Sequence, residues 1–234
     1  MNAIAAAELR MLVRNRTVAG AALLFPMSFG VFLCFSRGAH ERGGAVAGVQ
    51  IILMVAMGTY VTVTTTLASR RQTLYLKRMR GGAVSDRAII AGLVAPPVGV
   101  NLVQLAIVLG VLAYADVPSN PLLLVAAIVI AQAMFAGLAL ATAGLSASPE
   151  HAQYTTAPIF LVATAAAVWF QATGTDHLIA VKRTLPGGAL AELVETAWDG
   201  GGLSTLPLLL PATLGWTVVG VLAARAFFRW EPRQ

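Results

Sequence analysis

The sequence predicts an all-α integral membrane protein with six transmembrane helices. Three observations carry that expectation. Apolar residues make up 58% of the 234-residue chain and charged residues only 11%, where soluble chains carry about 25% charged residues. The mean hydropathy is +0.78. The cations punctuate apolar runs instead of clustering on a water-soluble surface, which sets nucleic acid aside as a partner despite the net charge of +6.

In chain order, the sequence reads as one transmembrane domain over residues 1–234. Residues 1–17 are too short and too charged to cross a bilayer. On a helical wheel Leu9, Leu12 and Val13 share one side, and Glu8, Arg10 and Arg14 share the other. That pattern predicts a helix lying in the membrane interface; the alternative is an ordinary basic flank. Six apolar segments follow, near 18–35, 45–68, 88–115, 122–146, 154–173 and 205–228. Each is close to the ~20 residues that a spanning helix needs. The first leads into Phe35, Ser36 and Arg37 with no small-residue cleavage site, so it is expected to remain as a span. The single cysteine, Cys34, excludes a disulfide framework and a cysteine metal site.

Between the second and third segments lies the basic stretch 69–87, SRRQTLYLKRMRGGAVSDR. It carries Arg70, Arg71, Lys77, Arg78, Arg80 and Arg87, six of the sixteen basic residues. On a helix Tyr75, Leu76 and Met79 fall on one side while Arg70, Lys77 and Arg80 spread over the other; Leu74 alone sits out of place on the charged face. A short amphipathic helix is expected, the alternative being a solvated loop whose cations set topology. Counted by side, twelve Lys and Arg stand against four. This asymmetry predicts a multi-pass protein of the cell (inner or plasma) membrane, with both termini and the basic loop in the cytoplasm.

No Asp, Glu, Lys or His lies mid-span, which disfavours a proton- or ion-coupled carrier, because ionisable groups do the coupling there. Neutral polar residues do occur. Asn101 and Gln104 share a face of the third span just after Pro96 and Pro97, which are expected to bend it. Gln50, Tyr60 and the run Thr62, Thr64, Thr65, Thr66 lie in the second span and Gln132 in the fourth. Two readings stand side by side: interhelical hydrogen bonding, worth about 0.6 kcal/mol each, or a substrate path lined by Thr62, Thr65, Asn101, Gln104 and Gln132. Ala133, Gly137 and Ala141 have the small-xxx-small spacing of close helix packing. In the loop 174–204, Leu190, Leu193, Val194 and Ala197 oppose Glu192, Glu195 and Asp199. A short helix on or in the outer membrane surface, acting as a lid, is expected there.

The chain contains no G-x-x-x-x-G-K-[ST] and no G-x-S-x-G, and His40, His151 and His177 are scattered over loops. No enzyme activity, resident cofactor or metal is expected of it.

The basic N-terminal segment, the six spans, the Leu76-Lys77-Arg78-Met79-Arg80 run after the second span and the helical loop before the sixth resemble the type-2 ABC exporter permeases. These include bacterial drug-export and antibiotic-resistance permeases. The closest local match is 70–92, where that family often has an Arg, an acidic residue, a Leu-Lys-Arg-Leu-Arg-like run and a Pro-containing turn. Here Gln72 replaces the acidic residue and Gly81-Gly82-Ala83 lacks the proline. Weaker matches are 148–158 and Leu185-Pro186. The resemblance implies a half-transporter that pairs with a second copy or a paralogue. Separate ABC ATPase subunits holding ATP and Mg would dock beneath. The coupling segment would be Arg70, Arg71, Leu74, Tyr75, Leu76, Lys77, Arg78, Met79 and Arg80, anchored by Tyr75, Leu76 and Met79, and the cargo a lipophilic or amphipathic drug, antibiotic or lipid. The residues by themselves leave open a scaffold of a different class, which recruits a cytoplasmic partner through the same helix.

Overall fold

The computed structural model describes residues 43–82, 84–201, 203–228 and 230, with short pieces at 5–7, 10, 27–28 and 31–32. Glu8, Arg14 and most of the first expected span, 18–35, lie outside the described residues. The described residues form helices and no strand. Five helices are long and apolar enough to cross a membrane: Gly43–Gln72, Asp86–Tyr114, Pro121–Leu145, Pro149–Thr173 and Leu206–Phe227. They coincide with the second to sixth apolar segments.

The first of these is built of three parts, α1 (Gly43–Val55), a π-helical turn (Ala56–Val61) and α2 (Thr62–Gln72). α1 is buried almost all round, which places it at the centre of the bundle. Its start is capped from a distance: the Gly44 N–H donates to Asp199 Oδ1 at 2.9 Å. A short basic helix, α3 (Tyr75–Arg80), leads into α4 (Asp86–Ala115), whose N-cap Ser85 accepts from the Ala88 N–H. α4 runs through Pro96 and Pro97 without leaving helical conformation. α5 (Pro121–Leu145) and α6 (Pro149–Thr173) each begin with proline in the first turn, behind an Asn120 or Ser148 cap that accepts a main-chain N–H. α7 (Ile179–Thr184), α8 (Gly188–Asp199) and α9 (Leu206–Phe227) complete the order.

Successive long helices run in alternate directions. The end of α2, α3, the starts of α4 and α6, and the ends of α5 and α9 gather at one end of the bundle, called here the basic end. α5 and α9 form the most extensive helix pair. A Cβ on Gly137 would stand 2.9 Å from the Gly220 carbonyl carbon, and one on Gly144 would collide with the Phe227 carbonyl oxygen. Backbones approach this closely only where side chains are missing. Of the expected small-residue stripe, Gly137 and Ala141 are buried and Ala133 is exposed.

α8 differs from the surface lid expected for 174–204. Nearly every residue is buried, against α1, α5, α6 and α9. Gly48 makes the fit possible, since a Cβ there would lie 3.0 Å from the Ala191 carbonyl oxygen. Glu192, expected on an outward polar face, turns inward and receives a two-pronged hydrogen bond from Arg183, Nε to Oε2 at 2.7 Å and Nη2 to Oε1 at 2.5 Å. The other end of α8 is strapped to the α4–α5 turn. Trp198 Nε1 donates to Asp116 at 3.1 Å, and the Ser119 and Asn120 N–H groups donate to the Trp198 and Ala197 carbonyls. An amphipathic pattern therefore serves a helix sunk into the bundle, because an ion pair compensates its inward carboxylate.

Candidate functional site

Two constellations stand out, one at the basic end and one inside the bundle. At the basic end, Arg71 is buried in the last turn of α2 and donates to the carbonyl oxygens of Gly144 and Ser146, at the C-terminus of α5. Those carbonyls lack intrahelical partners, so a guanidinium satisfies them and meets the negative end of the helix dipole. Ser146 Oγ in turn shares a hydrogen bond with Thr155 Oγ1 of α6 at 2.6 Å. One arginine thus gathers α2, α5 and α6. The sequence groups Arg71 with the cations of the basic stretch; the structure places it inside.

Beyond Arg71 the chain reverses at Leu74, which has left-handed backbone (φ 57°) and is 46% exposed. A branched residue in that region carries strain. It is the N-cap of α3 rather than a member of it, which explains why no single helical wheel could place it. Within α3, Leu76 is 1% exposed, and Tyr75 and Met79 pack half-buried against the same core. α3 lies on α2 and α4. Arg70 sits over the Tyr75 ring at 5.4 Å, and Arg80 over the Trp230 ring at 5.2 Å while also pairing with Asp86 at 3.4 Å. The apolar side expected to hold a partner is therefore rooted in this chain's own bundle. The surface turned outward consists of Gln72, Thr73, Leu74, Lys77, Arg78 and the ion-paired Arg80.

Inside the bundle, Thr59 Oγ1 donates to Gln132 Oε1 at 2.6 Å, Gln132 Nε2 to Asn101 Oδ1 at 2.7 Å, and Asn101 Nδ2 to the Met54 carbonyl at 2.8 Å. The chain of bonds joins the π-helical turn, α5 and α4. The wider turn releases main-chain oxygens from the regular pattern, and Asn101 supplies a donor to one of them. Gly58 lies against the Asn101 amide with no room for a Cβ. Tyr60 Oη and Thr142 Oγ1 add a second link at 3.1 Å.

Of the five residues expected along a path, Asn101 and Gln132 are brought together, and both are buried with partners. Thr62 and Thr65 instead bond to the backbone of their own helix, at Met57 and Val61. Gln104 is buried one turn further along α4, on the wall of a separate apolar groove of about 650 Å³ that Pro96, Val100 and Val103 also line. Sequence reasoning missed Thr59, which lies inside the π-helical turn, a feature that no local sequence pattern marked.

It also missed Lys182, a fully buried cation at the far end of the bundle. Its ammonium donates to Thr173 Oγ1, Gly174 O and Asp176 O at 2.6, 2.7 and 2.6 Å and lies over Trp169. All three donors of the ammonium are used, which offsets burial of the charge. Among the described residues no three His, Cys, Asp or Glu side chains come together as metal ligands. No protein-family model matches the chain, and no curated protein or solved structure matches it.

Proposed function

We propose that this chain is the membrane-spanning permease subunit of an ATP-driven ABC exporter. In this reading six spans, counting 18–35, cross the cell membrane with the basic end in the cytoplasm. A second permease copy or paralogue completes the pathway, and separate ATPase subunits dock on the basic end. The cargo is lipophilic or amphipathic, which suits the apolar groove bordered by Gln104.

The observation that supports the reading is the architecture of α3. Its apolar side is embedded in the bundle through Leu76, while Leu74, Lys77 and Arg78 face outward. A docked subunit that moves α3 therefore acts on α2 and α4 through packed side chains, and on α5 and α6 through Arg71. ATP binding on the partner shifts the permease between inward- and outward-open states to the extent that nucleotide favours one of them. The energy has to come from a partner, because the sequence has no phosphate-binding loop.

Co-reconstitution with an ABC-type ATPase tests the reading. Substrate-stimulated ATP hydrolysis is expected from the complex and none from the chain alone. Stable partner capture without hydrolysis or transport would replace the permease by the scaffold, which uses the same outward surface.

A further inference from the structure

At the basic end, α4, α5 and α9 enclose a groove of about 420 Å³. Its walls are apolar, formed by Ile90, Leu140, Val221, Ala224 and Phe228, and Arg87 and Arg225 border it together with Trp230. Arg87 is the second residue of α4, and Arg225 lies in the last turn of α9. Both cations therefore sit at the level where spanning helices leave the hydrocarbon. Both are exposed, and among the described residues neither has a hydrogen-bonding or acidic partner. The nearby Arg80 differs, since Asp86 pairs with it. Two uncompensated guanidiniums thus stand over an apolar slot that opens between spans.

We propose that this groove binds one anionic phospholipid from the leaflet at the basic end. The phosphate lies between Arg87 and Arg225, whose planar forks match its oxygens. An acyl chain runs along Val221 and Leu140, and Trp230 sits at headgroup level as interfacial aromatics do. Basic pockets between spanning helices recognise anionic headgroups in this way, and the volume falls in the range of about 300–1,000 Å³ typical of ligand sites. The inference does not depend on the transport reading.

Native mass spectrometry of the full chain, released from detergent after titration with phosphatidylglycerol or phosphatidylcholine of identical acyl chains, tests it. The unsubstituted chain is expected to retain one phosphatidylglycerol in preference to phosphatidylcholine. R87Q/R225Q should lower that retention about thirtyfold, the effect of two basic residues at the membrane surface. A224F, which fills the slot and keeps both charges, should lower it as well, and it decides the matter should R87Q/R225Q fail to fold. R78Q, on the outward side of α3, should leave retention unchanged. Equal retention of the two lipids, or unchanged phosphatidylglycerol binding in either groove variant, overturns the proposal. Competition by water-soluble glycerol phosphate at the same concentrations would mark a site for free phosphate and overturn it too.

Discussion

Gly144 and Gly99 are both glycines within spanning helices, yet they predict opposite outcomes. A methyl group at Gly144 meets the main chain of Phe227, which cannot yield without parting α5 from α9, whereas Gly99 and Gly110 face open space. Gly144→Ala is expected to cost about 3 kcal/mol, the upper end of overpacking penalties, with Gly137→Ala and Gly220→Ala milder. Gly99→Ala and Gly110→Ala should be neutral or stabilise by up to about 1 kcal/mol through helix propensity. Thermal unfolding of the series in detergent gives the ranking, and equal midpoints for the Gly144 and Gly99 variants would contradict the α5–α9 contact.

The Arg183–Glu192 pair makes a second residue-scale case. Arg183→Gln leaves a buried carboxylate without its cation and should cost about 3 kcal/mol; the double substitution with Glu192→Gln should recover part of it in a double-mutant cycle. The hydrogen bond from Arg183 to Glu192 holds the guanidinium above its ordinary value. The stabilisation from that shift is therefore complete below arginine's unfolded value and lost only above it, so the cost should be constant across neutral pH. A cost that vanished between pH 6 and 8, the range to be scanned, would show that another group carries the interaction.

At the scale of an element, α3 has a packed face and an outward face that can be altered separately. Replacing Tyr75 and Met79 together by Ala removes half-buried packing and should lower the stability of the chain itself by about 2 kcal/mol. Reversing Lys77 and Arg78 to Glu leaves that packing intact and should weaken association with the proposed ATPase partner, by a factor that shrinks as added salt screens the charges. Leu74→Gly relieves the left-handed strain, so the chain should be as stable or slightly more so, while loss of the exposed side chain should reduce docking. Comparing unfolding midpoints with co-purification separates the two effects. Docking that fell with Tyr75 and Met79 but not with Leu74, Lys77 and Arg78 would restore the apolar side as the partner surface.

For the whole molecule, the alternation of the helices puts residues 85 and 175 at opposite ends of the bundle. Both Ser85 and Thr175 are exposed. With Cys34 replaced, cysteines introduced at these positions should react with an impermeant maleimide from opposite sides of the membrane. Reaction of both from outside would break the topology drawn from twelve basic residues against four.

What the sequence determined by itself were the properties that depend on local composition and period. Apolar length marked the five long helices, because a spanning helix must satisfy its backbone internally over a nearly constant thickness. The amphipathic period located α3 and α8, whereas the Asn120 and Ser148 caps that start α5 and α6 emerged only with the structure. Tertiary structure decided which polar groups meet. Whether Arg71 faces water or the end of α5, whether Glu192 turns outward or toward Arg183, and whether Asn101 pairs with Gln132 depend on neighbours between nine and 75 residues distant in the chain. The π turn compounds this: Thr59, inside the turn, joins the buried network, while Thr62 and Thr65 beyond it turn back on their own helix. Within an apolar bundle a buried polar group goes wherever a partner satisfies it, and that partner is chosen by packing rather than by the local pattern.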